Sequence, residues 1–124
     1  MDTVPLAVAQ VNIRHYLDTC DTILGTVPIR AYTVHANDML LSLGIDPSSV
    51  KPQYNYARVY LGLDANNNFK LYFTPVSGAD LQPGVMNPGT DVILKDEDGN
   101  GYVMDLNAPC PNTCDVNSPL YNPQ

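Results

Sequence analysis

The chain has 124 residues, 44% of them apolar and 15% charged, and its thirteen acidic and six basic side chains give a net charge of −7. That length suits one domain with a core of its own, and the apolar share is too high for a disordered chain. The acidic balance repels phosphate backbones and anionic lipid, which speaks against nucleic acid and membrane surfaces as partners.

No stretch approaches the roughly eighteen consecutive apolar residues of a membrane-crossing helix. The opening MDTVPLAVAQ lacks the basic start and long apolar run of a secretory signal, so the cytoplasm is the expected compartment. Three cysteines, Cys20, Cys110 and Cys114, are an odd number and fit a reducing setting better than a disulfide scaffold.

The first third reads as helix. Leu6, Ala9, Ile13, Tyr16, Leu17, Cys20 and Leu24 recur at spacings of three and four, with Asn12, Arg14, Asp18 and Asp21 on the opposite face. Thr3 is the expected N-cap, Pro5 falls in the first turn, and Gly25 is the expected stop. After the break at GTVPIR, the stretch TVHANDMLLSLG predicts a second helix on Ala36, Met39, Leu40 and Leu43. Thr33 is its expected cap and Gly44 its C-terminal glycine. IDPSSVKPQ is a polar, proline-punctuated connector.

Beyond it the period changes to two. YARVYLGLDANNNFKLYFTPV predicts two strands around an asparagine-rich turn. The odd positions Val59, Leu61, Leu63, Phe69, Leu71 and Phe73 are apolar and form the expected inward set. The even set includes Arg58, Tyr60, Lys70 and Tyr72. Pairing odd with odd requires an odd-numbered loop, three residues (66–68) or five. VSGADLQPGVMNPGT is an excursion across an edge or end of the sheet, and DVILK with YVMDL forms a second expected hairpin. The tail NAPCPNTCDVNSPLYNPQ has no period and is expected to lie against the body.

Between those last two strands stands KDEDGNGYVMDLN, residues 95–107, which resembles the calcium loop of an EF-hand. Asp96, Asp98 and Asn100 stand at the first three ligand places, Gly101 at the sixth, and the Tyr102 carbonyl at the seventh. The resemblance implies weak calcium binding. Position twelve is Asn107 rather than a bidentate glutamate, and the flanks read as strands rather than helices. Turn chemistry explains the same residues, because Asp and Asn bond their own backbone and Gly99 and Gly101 supply positive φ. The first hairpin's DANNNF carries the same alternate Asp/Asn pattern, and the turn is the preferred reading.

Cys110 and Cys114 have a spacing compatible with zinc, with Cys20, His15 and His35 as further recruits. Packed thiols and a local disulfide are the competing readings. His15 with Asp18 and His35 with Asp38 form i,i+3 pairs that are expected to be solvated or locally bonded. Arg58, Tyr60, Lys70 and Tyr72 interleave basic and aromatic groups on one strand face, the most interaction-like patch in the sequence.

The reading is one α+β domain over 1–124: a helical part, 1–44, and a hairpin part, 54–106, with an irregular tail, 107–124. Two N-terminal helices are expected to pack on an antiparallel sheet of about four strands. The expected role is a small non-enzymatic interaction module that binds an unknown protein or small ligand, or a second copy of itself as a homo-oligomer. A metal-binding protein and a small enzyme using His15 or His35 in a cleft between helices and sheet are the alternatives.

Overall fold

Strands claim more of the chain than the period-two segment alone announces. The computed structural model describes residues 2–24, 28–106, 108–109 and 113–121. It is an α+β arrangement of two α-helices and a seven-stranded antiparallel sheet, rather than the expected four or so strands. The chain runs β1 (Asp2–Pro5), α1 (Leu6–Leu24), β2 (Ala31–His35), α2 (Ala36–Ser42), β3 (Tyr56–Leu63), β4 (Phe69–Ser77), β5 (Thr90–Asp91), β6 (Leu94–Lys95) and β7 (Gly101–Leu106). Across the sheet the order is β1-β7-β4-β3-β2.

Each helix is therefore entered from a strand, and the two helices are not a contiguous N-terminal pair. Thr3 and Thr33, expected as helix caps, lie in β1 and β2 instead. β-branched and aromatic residues in AYTVH favour the extended backbone until His35, whose Nδ1 accepts from the Asn37 N–H and caps α2. The expected stop at Gly44 is found. Its φ is +78°, its N–H donates to the Leu41 carbonyl, and the Ile45 N–H donates to the Leu40 carbonyl. Gly25 lies outside the described residues.

β5 and β6 replace the single strand expected from DVILK. Val76 and Ser77 of β4 pair with β5, and Tyr102 and Gly101 of β7 pair with β6. The segment thus fills the gap where β4 and β7 diverge, changing partners as it goes. The β3–β4 hairpin keeps odd opposite odd, with Tyr60 facing Tyr72 and Leu61 facing Leu71.

α1 lies along one face of the sheet on the stripe read from its sequence. Ala9 and Tyr16 are buried, and Leu6 and Ile13 are half-buried against the core. Asn12 departs from the expectation, because its Nδ2 donates to the Tyr72 hydroxyl at 2.7 Å and it faces the sheet. Gly62 permits this close approach. A Cβ there would stand 2.9 Å from the Tyr72 ring and 3.3 Å from the Asn12 backbone. The core is Ala9, Tyr72 and Val103, with Val4, Leu6, Ile13 and Tyr60 packed around it. Every strand residue in that list shares the face carrying the even positions of β3 and β4. The expected inward face is the other one, so the two faces are exchanged except at Leu63, which is 6% exposed as the odd-numbered reading expects.

Candidate interaction face

Amphipathic even-numbered residues end up inside because each has a partner there. Lys70 Nζ pairs with Asp105 Oδ2 at 3.1 Å, with side-chain exposures of only 21% and 9%. Asp105 Oδ1 is buried with no hydrogen-bond partner among the described residues. Arg58 bonds Asp91 Oδ1 at 2.7 Å, Thr33 Oγ1 at 3.2 Å and the Pro88 carbonyl. Tyr60 donates a hydrogen bond to Asp91 Oδ2. Burial and then the Asp91 carboxylate raise the Tyr60 hydroxyl above its ordinary pKa. Thr74 Oγ1 donates to the Val92 carbonyl at 2.6 Å. Helix α1 covers one end of this face, and residues from the 78–92 excursion reach over the other. Of the four residues proposed as a binding patch, Tyr72 is 1% exposed and offers no surface. Arg58, Tyr60 and Lys70 spend their polar groups on internal partners.

The opposite face is apolar. It carries Val59, Leu61, Leu71, Phe73, Met104 and Leu106, flanked by Tyr32 and Val34 of β2. Tyr32 is 57% exposed, Phe69 70% and Leu71 36%, and the others are half-buried. No residue that the strands contribute to this face is charged. Arg30, whose carbonyl accepts from the Leu61 N–H, stands at its rim. At the β2 side, α2 leans over the sheet and leaves a groove of 360 Å³. Met39, Leu40, Tyr54, Tyr56, Phe73 and Pro75 are among its lining. A wider depression of 1210 Å³ lies between β1, the start of α1 and the Asp96 turn. Its lining is mixed, with Lys95, Asp96, Glu97 and Gln10 beside Pro5 and Met104.

The proposed calcium ligands sit in a hairpin turn. The Asp96 N–H donates to the Asn100 carbonyl at 3.0 Å, and the Gly99 N–H to the Asp96 carbonyl at 3.1 Å. Asp96 Oδ1 accepts from the Asp98 and Asn100 N–H groups at 2.9 and 2.8 Å. Gly99, not Gly101, takes the positive φ, at +80°, while Gly101 and Tyr102 open β7. Asn107 lies outside the described residues. The flanks are strands, as the sequence predicts, where an EF-hand has helices. The first turn repeats the design: Asp64 Oδ1 accepts from Asn66 and Asn68 at 2.9 Å, and Asn67 has φ +63°. Both are three-residue loops with the left-handed residue third, one of the common hairpin connections. The first loop is 65–67, one residue earlier than expected.

Cys114 is in a disulfide, where its sulfur has no thiolate to offer zinc. Cys110 lies outside the described residues. Cys20 is a free thiol on α1. Among the described residues no three His, Cys, Asp or Glu side chains gather to hold an ion. His15 Nδ1 is 2.9 Å from the Asp64 carbonyl, and Asp18 pairs instead with Arg14 at 3.7 Å. Neither of the two grooves has a histidine in its lining.

No family model, curated protein or solved structure matches this chain. Its function must be read from its own surfaces. Among the described residues no helix is long and apolar enough to cross a membrane. Sequence reasoning did name the apolar positions of β3 and β4, but it assigned them to the core. Two signals pointed the other way: Gly62, a residue without a side chain at a helix-contact position, and the opposite charges of Lys70 and Asp105.

Proposed function

We propose that the protein is a non-enzymatic interaction module and that the uncharged sheet face opposite α1 is its contact surface. A single observation carries this reading. A chain with net charge −7 leaves one strand face with no charged residue, yet exposes Tyr32, Phe69 and Leu71 on it. The 28 residues of β2, β3, β4 and β7, at about 3.3 Å each with about 4.8 Å between strands, give roughly 440 Å² of face. That falls within the range of the largest apolar patch on an ordinary monomer, about 300–600 Å², where such patches are often functional. Aromatic residues at such a patch supply large contact area and also serve as anchors in protein–protein contacts.

The partner class supported by this surface is another protein surface, apolar at its centre. Leu71→Lys tests the reading by placing a charge in the middle of the face. The variant is expected to keep its fold, because Leu71 is already 36% exposed. It is also expected to lose binding of an apolar fluorescent probe and of peptides selected against the wild-type chain. Equal binding by both proteins would defeat the proposal.

The cytoplasmic placement expected from the N-terminus and the disulfide at Cys114 pull in opposite directions, because disulfides persist mainly in oxidising compartments. Alkylation at the moment of lysis separates the two. All three thiols react if the native compartment is reducing, and fewer react if it is oxidising.

A further inference from the structure

The open face carries both a projection and a recess. Phe69, the most exposed of its aromatic side chains at 70%, stands where β4 leaves the hairpin turn. The groove beside Phe73 and Pro75 lies toward the other end of the same strand. Both sit on odd positions of β4, so both point out of the same side of the sheet. Four to six residues separate them, roughly 13–20 Å along the strand.

A projection and a recess on one face are what an isologous dimer needs, because each copy must supply both halves of the contact. Two in-plane two-fold axes can lay the sheets face to face. The axis along the strands keeps Phe69 at its own end and leaves the groove empty. The axis across the strands exchanges the ends and brings each Phe69 over the other copy's groove. It crosses β4 near Leu71, midway between them. The face of roughly 440 Å² on each copy sums to about 880 Å², the size of a weak, reversible contact. Charge points to the same face: two strongly acidic chains repel, and the strand residues of this face bring no acidic groups together.

We propose that two copies of this chain pack open face to open face about a two-fold axis across the strands near Leu71, with Phe69 of each seated in the groove of the other. This rests on the open face being the contact surface. It adds the partner and the register.

Sedimentation equilibrium of the full chain tests the partner, and cross-linking tests the register. The wild type is expected to be dimeric at about 100 µM and to dissociate on dilution, as suits a small interface. Phe69→Ser is expected to weaken association at least tenfold with its circular dichroism unchanged. In a Cys20→Ser background, Leu71→Cys is expected to be joined to its own copy by a short bis-maleimide linker of about 8 Å, because a residue at the axis faces its own copy across sheets about 10 Å apart. Leu41→Cys, on the exposed side of α2, is expected to give no such link. A monomer at about 100 µM, or a dimer that Phe69→Ser leaves equally tight, overturns the proposal. A monomer whose peptide binding still depends on Leu71 overturns the dimer alone and leaves the contact surface standing.

Discussion

The two faces of one sheet divide their chemistry against expectation. The face beneath α1 holds Arg58, Lys70, Asp91 and Asp105, each charge answered by a neighbour. The face without charge is the open one. A strand's alternation says which residues share a side, since the period is two. It does not say which side the rest of the chain will cover. Covering is decided by what lands there. The polar groups of the even positions are satisfied by Asn12 on α1, by Asp91 and Val92 after the excursion, and by Asp105 across the ladder. None of those partners is local in sequence.

The largest expected effect contrasts neighbouring residues of β4. Tyr72→Ala empties a fully buried site and removes the Asn12 hydrogen bond, so unfolding by denaturant should register a loss of about 4 kcal/mol. Leu71→Ala, on the open face, should cost less than about 1 kcal/mol. If the two losses prove equal, the contrast between the faces fails.

Next in size is the ion pair below α1. Lys70→Met leaves the Asp105 carboxylate buried without its cation, and should cost about 3 kcal/mol in the same measurement. An unchanged midpoint would mean that Lys70 does not hold that carboxylate in solution. Smaller again are the two turns. Asp64→Ala and Asp96→Ala each remove an acceptor for two backbone N–H groups, and each should lower the denaturation midpoint by less than Lys70→Met does. A much larger cost at Asp96, relieved by calcium, would restore the cation reading of that loop.

Acid should touch the first turn in a defined direction. The Asn68 N–H, aided by the Asn68 side chain and the Asn66 N–H, holds the Asp64 carboxyl below its usual range. A depressed folded pKa adds stability that is present above the unfolded value, near 3.9 or so, and lost as pH falls through the folded one. Asp64→Ala should therefore flatten the acid limb of the stability profile. An acid limb identical to that of the wild type would contradict this.

Much of the fold was legible wherever a local rule was strong. The α1 stripe, the glycine stop at Gly44, the odd-with-odd register and the turn reading of Asp96 all rest on neighbours within a few residues. β1 and β2 were missed because a four- or five-residue edge strand that runs straight into a helix borrows the helix's start signals. Thr3 and Thr33 were misread for that reason. The partner change between β5 and β6 was hidden because it follows from the divergence of β4 and β7, which no short window contains. The site was the least legible part, since it required knowing where a helix sixty residues distant from Tyr72 would rest.

β1 and β2 have a consequence for vectorial synthesis. β1 forms one border of the sheet and β2 forms the opposite border, with α1 spanning the width between them. Asp2 pairs with Asp105, so β1 waits until β7 has been made before it gains a ladder. Such long-range closure is slow, and a nascent chain of this kind would expose unpaired edges until β7 emerges.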